Sequence, residues 1–400
     1  MSGLSQRKNG TINRDVCSAD IRSVEPKKIT PSQTSNGRQY FRKRRIRLRG
    51  VGRGGRQLNK WRFTKTSYKF TDLKSGIRDP QSTIKANPVL TPLTFEPIFM
   101  ERIWGGRRLE SEFGKTLPAR KLIGESWEIV DRPEAQSIVR NGPLRGKALH
   151  ELWTQYRNEI FGDIPDAPRF PLLLKLLDAH QKLSLQVHPP EAVAERLGSE
   201  PKTEFWYVAA AEPGAKLYLG FRELITRDQF EKALRDGTAA DHVYKMRVKP
   251  GDAVFLPSGR LHALGAGNVL IEIQQNSDTT YRVFDWNRVD DEGKQRQLHV
   301  DQALQCIDFT DVRPRLLRPE GELLLRHNLF EIQKWNLDSP REVAPRGQFA
   351  ITCCLSGSIH CADVDLRRGE FFLIPAQLQD RQLHPRAERT TLLRVTIPKL

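Results

Sequence analysis

The stretch Leu183-Ser184-Leu185-Gln186-Val187-His188 alternates apolar side chains with polar ones at every step. This period of two is typical of a β-strand whose two faces meet different surroundings. Gln186 and His188 therefore point to the same side, away from the leucines. Two interpretations fit the pattern: the polar face lines a pocket inside a β-barrel, or it meets only water. The rest of the chain has to decide between them.

Length and cysteine content narrow the class of protein. The 400 residues are enough for two or three domains with a large buried core. The cysteines are Cys17, Cys306, Cys353, Cys354 and Cys361, and no two of them form a Cys-x-x-Cys pair. Neither a zinc-thiolate finger nor a disulfide framework is predicted. No apolar run approaches the ~20 residues that span a bilayer, and the first 30 residues lack the apolar segment of a secretory signal. We therefore expect no membrane association and a location in the reducing cytoplasm.

The net charge of +17 is confined to the N-terminal part of the chain. Residues 1–88 contain 22 of the 65 Lys and Arg residues and 5 of the 48 Asp and Glu residues, so residues 89–400 carry 43 of each. The N-terminal part shows no sustained apolar period, which predicts a disordered basic extension rather than a packed unit.

Three interpretations of this extension stay open. Its densest part, FRKRRIRLR at residues 41–49, is followed by Gly-Arg repeats, and Tyr40, Trp61 and Tyr68 lie nearby. Such a tract can bind RNA or another polyanion through phosphate contacts and stacking. An Arg-rich leader without acids can also direct a protein to an organelle. The third interpretation is a solvated tail of no specific function, or an upstream stretch included by a start site assigned too early.

The pattern of the folded part is mainly β with helical insertions. Residues 93–99 and 126–130 predict short strands separated by Gly and Pro residues. Apolar positions spaced by three or four from Leu149 predict a helix that ends at Gly162. A capping-box pattern at Thr226 begins a second predicted helix, which ends at Gly237.

An internal repeat supports a fold with two similar halves. Residues 251–257 (GDAVFLP) and 369–375 (GEFFLIP) share a turn glycine, an acid, a mostly apolar run and a proline. His262 follows the first proline by five residues, whereas Asp380 follows the second. Only the first copy is therefore predicted to carry chemistry.

A metal site is the sharpest hypothesis that spacing supports. Gln186 and His188 share a strand face, Glu204 follows within a Lys-Thr-Glu run, and His262 follows a Pro-Ser-Gly-Arg-Leu turn. Each histidine alone is more often an ordinary core residue. Two imidazoles, a carboxylate and an amide oxygen together suit one divalent ion such as Zn²⁺, and an open position would make the site catalytic. The same ligand types also serve Mn²⁺ and Fe²⁺.

Longer motifs resemble the type I mannose-6-phosphate isomerases, in the short bacterial form of that family. The resemblance begins near residues 95–106 and extends to the C-terminus, whereas the basic extension has no counterpart in the family. The motifs lie at residues 171–178 (PLLLKLLD), 186–189 (QVHP), 202–207 (KTEFWY), 257–265 (PSGRLHALG) and 274–288 (QQNSDTTYRVFDWNR).

The resemblance implies a cupin-type fold and a set of site residues. Gln186, His188, Glu204 and His262 match the zinc-ligand positions of the family, so Zn²⁺ is the expected ion. The Gln-x-His pair and the acid 16 residues after His188 depart from the general cupin pattern, but the family shares this departure.

Three further positions match functional positions of the family. Arg282 matches the catalytic arginine. Lys202 and Glu272 occupy positions that line the pocket of the family.

The implied reaction interconverts mannose 6-phosphate and fructose 6-phosphate by moving a proton between C1 and C2 through an enediol. This chemistry needs a base, an electrophile and a phosphate clamp. Lys202 can hold the phosphate, join the charge stabilisation, or be a plain surface lysine. Strand alternation makes Glu272 the best carboxylate base on sequence, although it can equally serve only to orient Arg282 or Lys202.

We therefore predict two cupin-type jelly-roll barrels with helical insertions. A catalytic metal-binding domain is expected over residues 89–320, and a degenerate barrel without a metal site over residues 321–400. A sugar phosphate is the expected partner, with nucleic acid bound only through the basic extension; the oligomeric state is left open. Two rival classes are a non-catalytic sugar-phosphate-binding or regulatory cupin, and an RNA-binding protein whose extension is the functional part.

Overall fold

β-Strands dominate the computed structural model, which describes residues 89–289 and 293–398. The expectations for residues 1–88 lie outside the described part of the chain. The strands of the first half are β1 (Ile98–Gly106), β2 (Ile123–Ile129), β3 (Asp131–Arg132), β4 (Ala135–Gln136), β5 (Leu172–Ala179), β6 (Leu185–Val187), β7 (Glu204–Ala211), β8 (Lys216–Phe221), β9 (Val243–Arg247), β10 (Ala253–Leu256), β11 (His262–Leu264), β12 (Asn268–Gln275) and β13 (Tyr281–Phe284).

The second half also consists mainly of short β-strands. They are β14 (Leu323–Arg326), β15 (Glu331–Leu337), β16 (Arg341–Glu342), β17 (Ala350–Ser356), β18 (Ser358–Cys361), β19 (Val364–Arg367), β20 (Phe371–Ile374), β21 (Gln382–Pro385) and β22 (Thr390–Thr396). All pairings between these strands are antiparallel.

The helices are few and short. They are α1 (Arg108–Phe113), α2 (Leu149–Gln155), α3 (Glu191–Leu197), α4 (Arg227–Arg235) and α5 (Val300–Cys306), with a π-helical turn at Arg157–Phe161 and a 3-10 turn at Ala239–Asp241. Within the described residues, no helix has the length and apolarity that crossing a membrane requires.

Both helices predicted from the sequence are present, close to the predicted positions. Thr226 caps α4, because its hydroxyl accepts from the Gln229 amide while the Gln229 side chain accepts from the Thr226 amide. The helix predicted from Leu149 is split into α2 and the π-helical turn, and it ends at Gly162 as expected. A capping box therefore places α4, whereas apolar spacing alone places α2, which has no side-chain cap.

The first predicted strand is less regular than expected. Leu93 and Phe95 make only isolated bridges, to Leu373 and Val139, and the continuous strand β1 begins at Ile98. Pro92 and Pro97 interrupt this segment. Proline has no backbone N–H to donate, so an unbroken ladder cannot form there.

The strands form four large sheets arranged as two similar pairs. In the first half the orders are β1-β2-β5-β12-β7-β10 and β13-β6-β11-β8-β9. In the second half they are β14-β15-β22-β17-β20 and β16-β21-β18-β19. The prediction of a mainly β fold is confirmed, but each described sheet is an open run of strands, and no closed barrel is found among the described residues.

The internal repeat seen in the sequence occupies matching places in the two halves. β10 is the edge strand beside β7, and β20 is the edge strand beside β17. Gly251 and Gly369 precede these strands with φ of 93° and 79°, a left-handed conformation that glycine adopts at low cost. The same turn-and-strand unit is thus built twice.

One apolar core joins the two halves. Phe161 and Phe170 from the first half pack against Phe349 from the second, with ring centroids 5.8 and 6.0 Å apart. All three rings are fully buried. The described residues of both halves accordingly belong to one compact unit. The division near residue 320 stays a prediction.

Candidate metal centre and active site

Strand β6 places the opening motif between two other predicted site residues. The Cα of Gln186 pairs with that of His262 on β11 and with that of Arg282 on β13. Residues directly opposite each other on neighbouring strands project from the same face of a sheet. The polar face of the Gln-x-His strand therefore faces an internal site and not bulk water.

Three potential metal ligands converge within this site. His188 Nε2 lies 3.1 Å from Glu204 Oε1, and His262 Nε2 lies 3.7 Å from Glu204 Oε2. One ligand atom from each of the three residues falls within 4.8 Å of the others, and all three side chains are buried. Residues far apart in sequence are thus brought together as the spacing predicted.

Hydrogen bonds behind the histidines orient both rings. His188 Nδ1 donates to the Thr279 carbonyl oxygen at 2.8 Å, and His262 Nδ1 donates to the Arg260 carbonyl oxygen at 2.9 Å. A neutral imidazole that donates through Nδ1 leaves Nε2 free as an acceptor. Both free nitrogens therefore face Glu204, as metal-binding histidines are oriented in other proteins.

Electrostatics keep this cluster in the protonation state that a metal needs. Burial, followed by the charge of His188, lowers the pKa of His262 to about 3. Burial, followed by the charge of Lys202, also lowers the pKa of His188. Burial acts against the Glu204 carboxylate, but Lys202 and His188 outweigh it, and its pKa lies well below the usual range. The result is two neutral imidazoles beside one carboxylate.

Unsatisfied buried atoms provide an independent test of the fit. His188 Nε2 and Glu204 Oε2 are fully buried and have no hydrogen-bond partner among the residues that the structure describes. Such orphaned acceptors cost free energy unless another group binds them. Imidazole nitrogens and a carboxylate oxygen are the ligands of a borderline divalent ion, so the donor set fits a metal.

Gln186 lies beside these ligands in a different orientation. Its amide nitrogen donates to His262 Nε2 at 3.4 Å, while its amide oxygen accepts from Ser184 Oγ at 3.3 Å. The oxygen thus points away from the cluster. Metal ligation by Gln186 requires a 180° flip of its side-chain amide, since only the amide oxygen can bind a metal ion.

The cluster adjoins a cavity of about 390 Å³. Five of the predicted site residues line it: Gln186, Lys202, Glu204, Glu272 and Arg282. A larger cavity of about 730 Å³ lies between α1 and the turn before β20, and it contains none of these residues. The smaller cavity is therefore the candidate active site.

Arg282 is held rigidly at the wall of this cavity. Its Nε donates to Ser184 Oγ at 3.1 Å, and its Nη1 donates to the Gln297 carbonyl oxygen at 3.0 Å. Burial, followed by the charge of Arg296, lowers the pKa of Arg282. A guanidinium remains charged despite such a shift, so Arg282 contributes a fixed cation.

Lys202 is buried, and the interpretation as a surface lysine is wrong. Its side chain is 5% exposed, and its Nζ lies 3.0 Å from Glu204 Oε1. This places an ammonium group next to the candidate metal ligands. Lys202 can therefore act directly on a group bound in the cavity.

Glu272 faces the cavity as the strand alternation predicted, but its partners are unexpected. Its Oε1 accepts from Trp206 Nε1 at 2.7 Å, and its Oε2 lies 3.4 Å from Lys175 Nζ. Burial, followed by the charge of Glu204, raises the pKa of Glu272 to about 6. Among the described residues, Glu272 makes no hydrogen bond or ion pair with Arg282 or Lys202, although the charge of Lys202 acts to lower its pKa.

Sequence reasoning missed Lys175 as a site residue. This lysine lies in the middle of β5, whose eight residues are all buried, and it lines the cavity. The sequence did contain a signal for Lys175: a single lysine among leucines in a buried strand is rare unless an acidic side chain pairs with it. Its second partner, Glu125, lies on β2, and the alternation of side chains along one strand cannot predict a pairing with another strand.

Fold and site together define a class: a mainly β protein with a potential metal centre beside an internal polar cavity. The family model for the catalytic domain of type I phosphomannose isomerase matches residues 93–220. The probable mannose-6-phosphate isomerase GmuF of Bacillus subtilis (strain 168) is 38% identical over 300 residues, covering 71% of this chain and 93% of the relative. ManA of the same organism, a mannose-6-phosphate isomerase, is 36% identical over 310 residues, covering 74% and 97%.

The fold agrees with these sequence matches. The crystal structure of the mannose 6-phosphate isomerase from Bacillus subtilis matches with a TM-score of 0.69 and 33% identity, covering 77% of this chain and all of the solved one. The chain belongs to the type I phosphomannose isomerase family. The resemblance found in the sequence motifs is thereby confirmed.

Proposed function

We propose that this protein interconverts mannose 6-phosphate and fructose 6-phosphate by moving a proton between C1 and C2 through an enediol. The observation that carries the proposal is the buried His188–Glu204–His262 cluster at the wall of a cavity that also contains Arg282 and Lys202. The names of the relatives at 36–38% identity support the same reaction.

Gln186, His188, Glu204 and His262 would hold one divalent ion, with Zn²⁺ as the first choice for a set of nitrogen and oxygen ligands. The orphaned atoms His188 Nε2 and Glu204 Oε2 support this assignment. When bound, the ion supplies a Lewis acid that polarises the sugar oxygens and stabilises negative charge on the enediolate.

The chain itself supplies charge and proton transfer. Arg282 fixes a cation in the cavity wall, where it stabilises developing negative charge or the phosphate. Lys202 adds a second cation beside Glu204. Glu272 is the candidate base, because its carboxylate faces the cavity and its raised pKa, about 6, suits proton transfer near neutral pH.

We also propose that the two sheet pairs are jelly rolls of the cupin type, with a boundary near residue 320. The matching strand orders of the two halves support this assignment. The second half has Asp380 where the repeat carries His262 in the first, which supports a structural role for residues 321–400.

A coupled aldose–ketose assay with a metal measurement tests the proposed function. Protein purified without chelator should contain about one equivalent of divalent metal and should convert mannose 6-phosphate. Treatment with chelator should abolish turnover, and Zn²⁺ should restore it.

The same experiment separates the rival function, a non-catalytic sugar-phosphate-binding cupin. That alternative predicts saturable binding of mannose 6-phosphate with no turnover in the metal-loaded protein. Binding can be followed by calorimetry on the sample used for the assay. Arg326→Ala, on the exposed edge of β14, serves as a control that should leave both activities unchanged.

A further inference from the structure

One row of side chains crosses four neighbouring strands on the cavity side of the larger sheet. Trp127 on β2 lies opposite Lys175 on β5, Lys175 lies opposite Glu272 on β12, and Glu272 lies opposite Trp206 on β7. Partners that face each other across antiparallel strands share one face. In this row Lys175 lies between the Trp127 indole and the Glu272 carboxylate, and the Trp206 indole follows Glu272.

Lys175 lies between two carboxylates at equal distance. Its Nζ is 3.4 Å from Glu125 Oε2 and 3.4 Å from Glu272 Oε2, and the lysine side chain is only 4% exposed. Each carboxylate is anchored by an indole N–H: Trp127 Nε1 donates to Glu125 at 2.7 Å, and Trp206 Nε1 donates to Glu272 at 2.7 Å. The arrangement is close to symmetric about Lys175.

Glu125 differs from Glu272 in having three side-chain partners instead of two. Its Oε1 accepts from Arg102 Nε at 2.8 Å, and its Oε2 is shared by Trp127 and Lys175. Burial opposes the charged form of Glu125, but Lys175 and Arg102 outweigh it and lower its pKa to about 2. Glu125 is thus an anion held in place by three neighbouring side chains.

We propose that Glu125 is a positioning residue that holds the Lys175 ammonium at the cavity wall beside Glu272. This inference rests on the proposed isomerase function. A buried ammonium needs a compensating anion, because an unpaired buried cation is strongly disfavoured, and Glu125 supplies a permanent one. With Glu125 in place, the Lys175 ammonium stays beside Glu272 and does not rotate toward the metal ligands or out of the cavity, and the Glu272 carboxylate stays at the cavity wall.

Glu125→Gln tests this role, because the amide keeps the shape and removes the anion. We expect kcat to fall about 10- to 100-fold, because displacement of a catalytic group by ~1 Å can lower the rate by that factor. KM should change less than about threefold, and metal content should stay unchanged. A second readout does not depend on turnover: labelling of Lys175 by an amine reagent, followed by mass spectrometry, should accelerate about tenfold or more as its pKa falls.

Glu128→Gln is the matched control. Glu128 is on the same strand, is buried, and pairs with Lys115 at 2.7 Å away from the candidate active site. Its substitution should lower stability but leave kcat and Lys175 labelling unchanged. If Glu125→Gln does not fold, Trp127→Phe removes one hydrogen bond to Glu125 and should produce a smaller change in both readouts.

The outcomes separate the two proposals. Wild-type kcat and unchanged Lys175 labelling in Glu125→Gln would overturn the positioning role, as would an equal loss of kcat in Glu128→Gln. If the wild-type protein has no isomerase activity, the proposed function fails. The labelling comparison then still decides whether Glu125 holds Lys175.

Discussion

The imidazole rings of His188 and His262 lie 4.8 Å apart, and each donates Nδ1 to a backbone carbonyl oxygen so that both Nε2 atoms face Glu204. One ring follows the end of β6 and the other begins β11, the neighbouring strand. Backbone pairing therefore fixes the relative position of the two ligands before any ion binds.

Removing either histidine should remove the metal. We expect His188→Ala and His262→Ala to lose bound metal and more than ~100-fold of the isomerase activity, since charge stabilisation in the site disappears. Gln186→Ala should be milder, because a neutral amide is the weakest of the four ligands. Metal analysis and circular dichroism on the same samples check both loss of metal and retention of the fold. Full metal content in both histidine variants would refute the site.

Arg282→Ala should lower kcat by about 100-fold or more with metal retained, if the guanidinium stabilises charge in the transition state. Steady-state kinetics distinguish this from a second outcome. A rise in KM with kcat unchanged would make Arg282 a clamp for the ground-state phosphate instead. Wild-type kinetics would exclude both roles.

Arg381 should matter for stability and not for chemistry. It is 4% exposed, and its guanidinium donates to the carbonyl oxygens of Ala344, Pro375 and Ala376 at 2.8–3.0 Å. Arg381→Met removes these buried charge-assisted hydrogen bonds, so the free energy of unfolding should fall by roughly 2–4 kcal/mol.

Urea denaturation measures this change, and metal analysis should show no loss. The control is Arg326→Met. The Arg326 side chain is 70% exposed beside Glu331, so its ion pair should contribute less than about 1 kcal/mol. A similar loss in both variants would mean that the buried hydrogen bonds of Arg381 contribute nothing specific.

The buried thiols predict a loss of stability at alkaline pH. Burial raises the pKa of Cys306 to about 11 and those of Cys354 and Cys361 to about 12, from an ordinary value of 9.0. Below pH 9 these thiols are neutral in both states. Above it the unfolded chain releases protons that the folded chain retains, so the free energy of unfolding should decrease as pH rises from 9 to 12.

Unfolding by urea at pH 8 and pH 10.5 measures this slope, and Cys361→Ala should reduce it. In a chain starting at residue 89, a thiol reagent at pH 8 should also react only after unfolding. Fast labelling of the native chain would contradict the burial of these thiols.

The basic extension should bind polyanions independently of the isomerase. Residues 89–400 carry 43 basic and 43 acidic side chains, so their net charge provides no attraction to nucleic acid. The full chain should bind RNA or heparin in a salt-dependent manner, and a chain starting at residue 89 should not. Turnover and thermal stability of the shorter chain should be nearly unchanged, and their loss would show that the extension supports the enzyme.

Much of the candidate site could be predicted from short sequence patterns. Alternation along residues 183–188 placed Gln186 and His188 on one face, and the motif around His262 supplied a second imidazole. Capping residues located α4, and the turn glycines Gly251 and Gly369 marked the repeat. These features depend on interactions within a few residues, which sequence patterns record directly.

Only the tertiary structure shows which charged side chains form ion pairs with each other. Glu272 pairs with Lys175 and Trp206, while Lys202 is buried against Glu204. Glu125 holds Lys175 from a strand some 50 positions earlier in the chain. Such pairings depend on the order and register of antiparallel strands, and a shift of one residue would turn every side chain to the other face. Sequence alone determined the residue types and their local faces, and the packing of distant strands determined their partners.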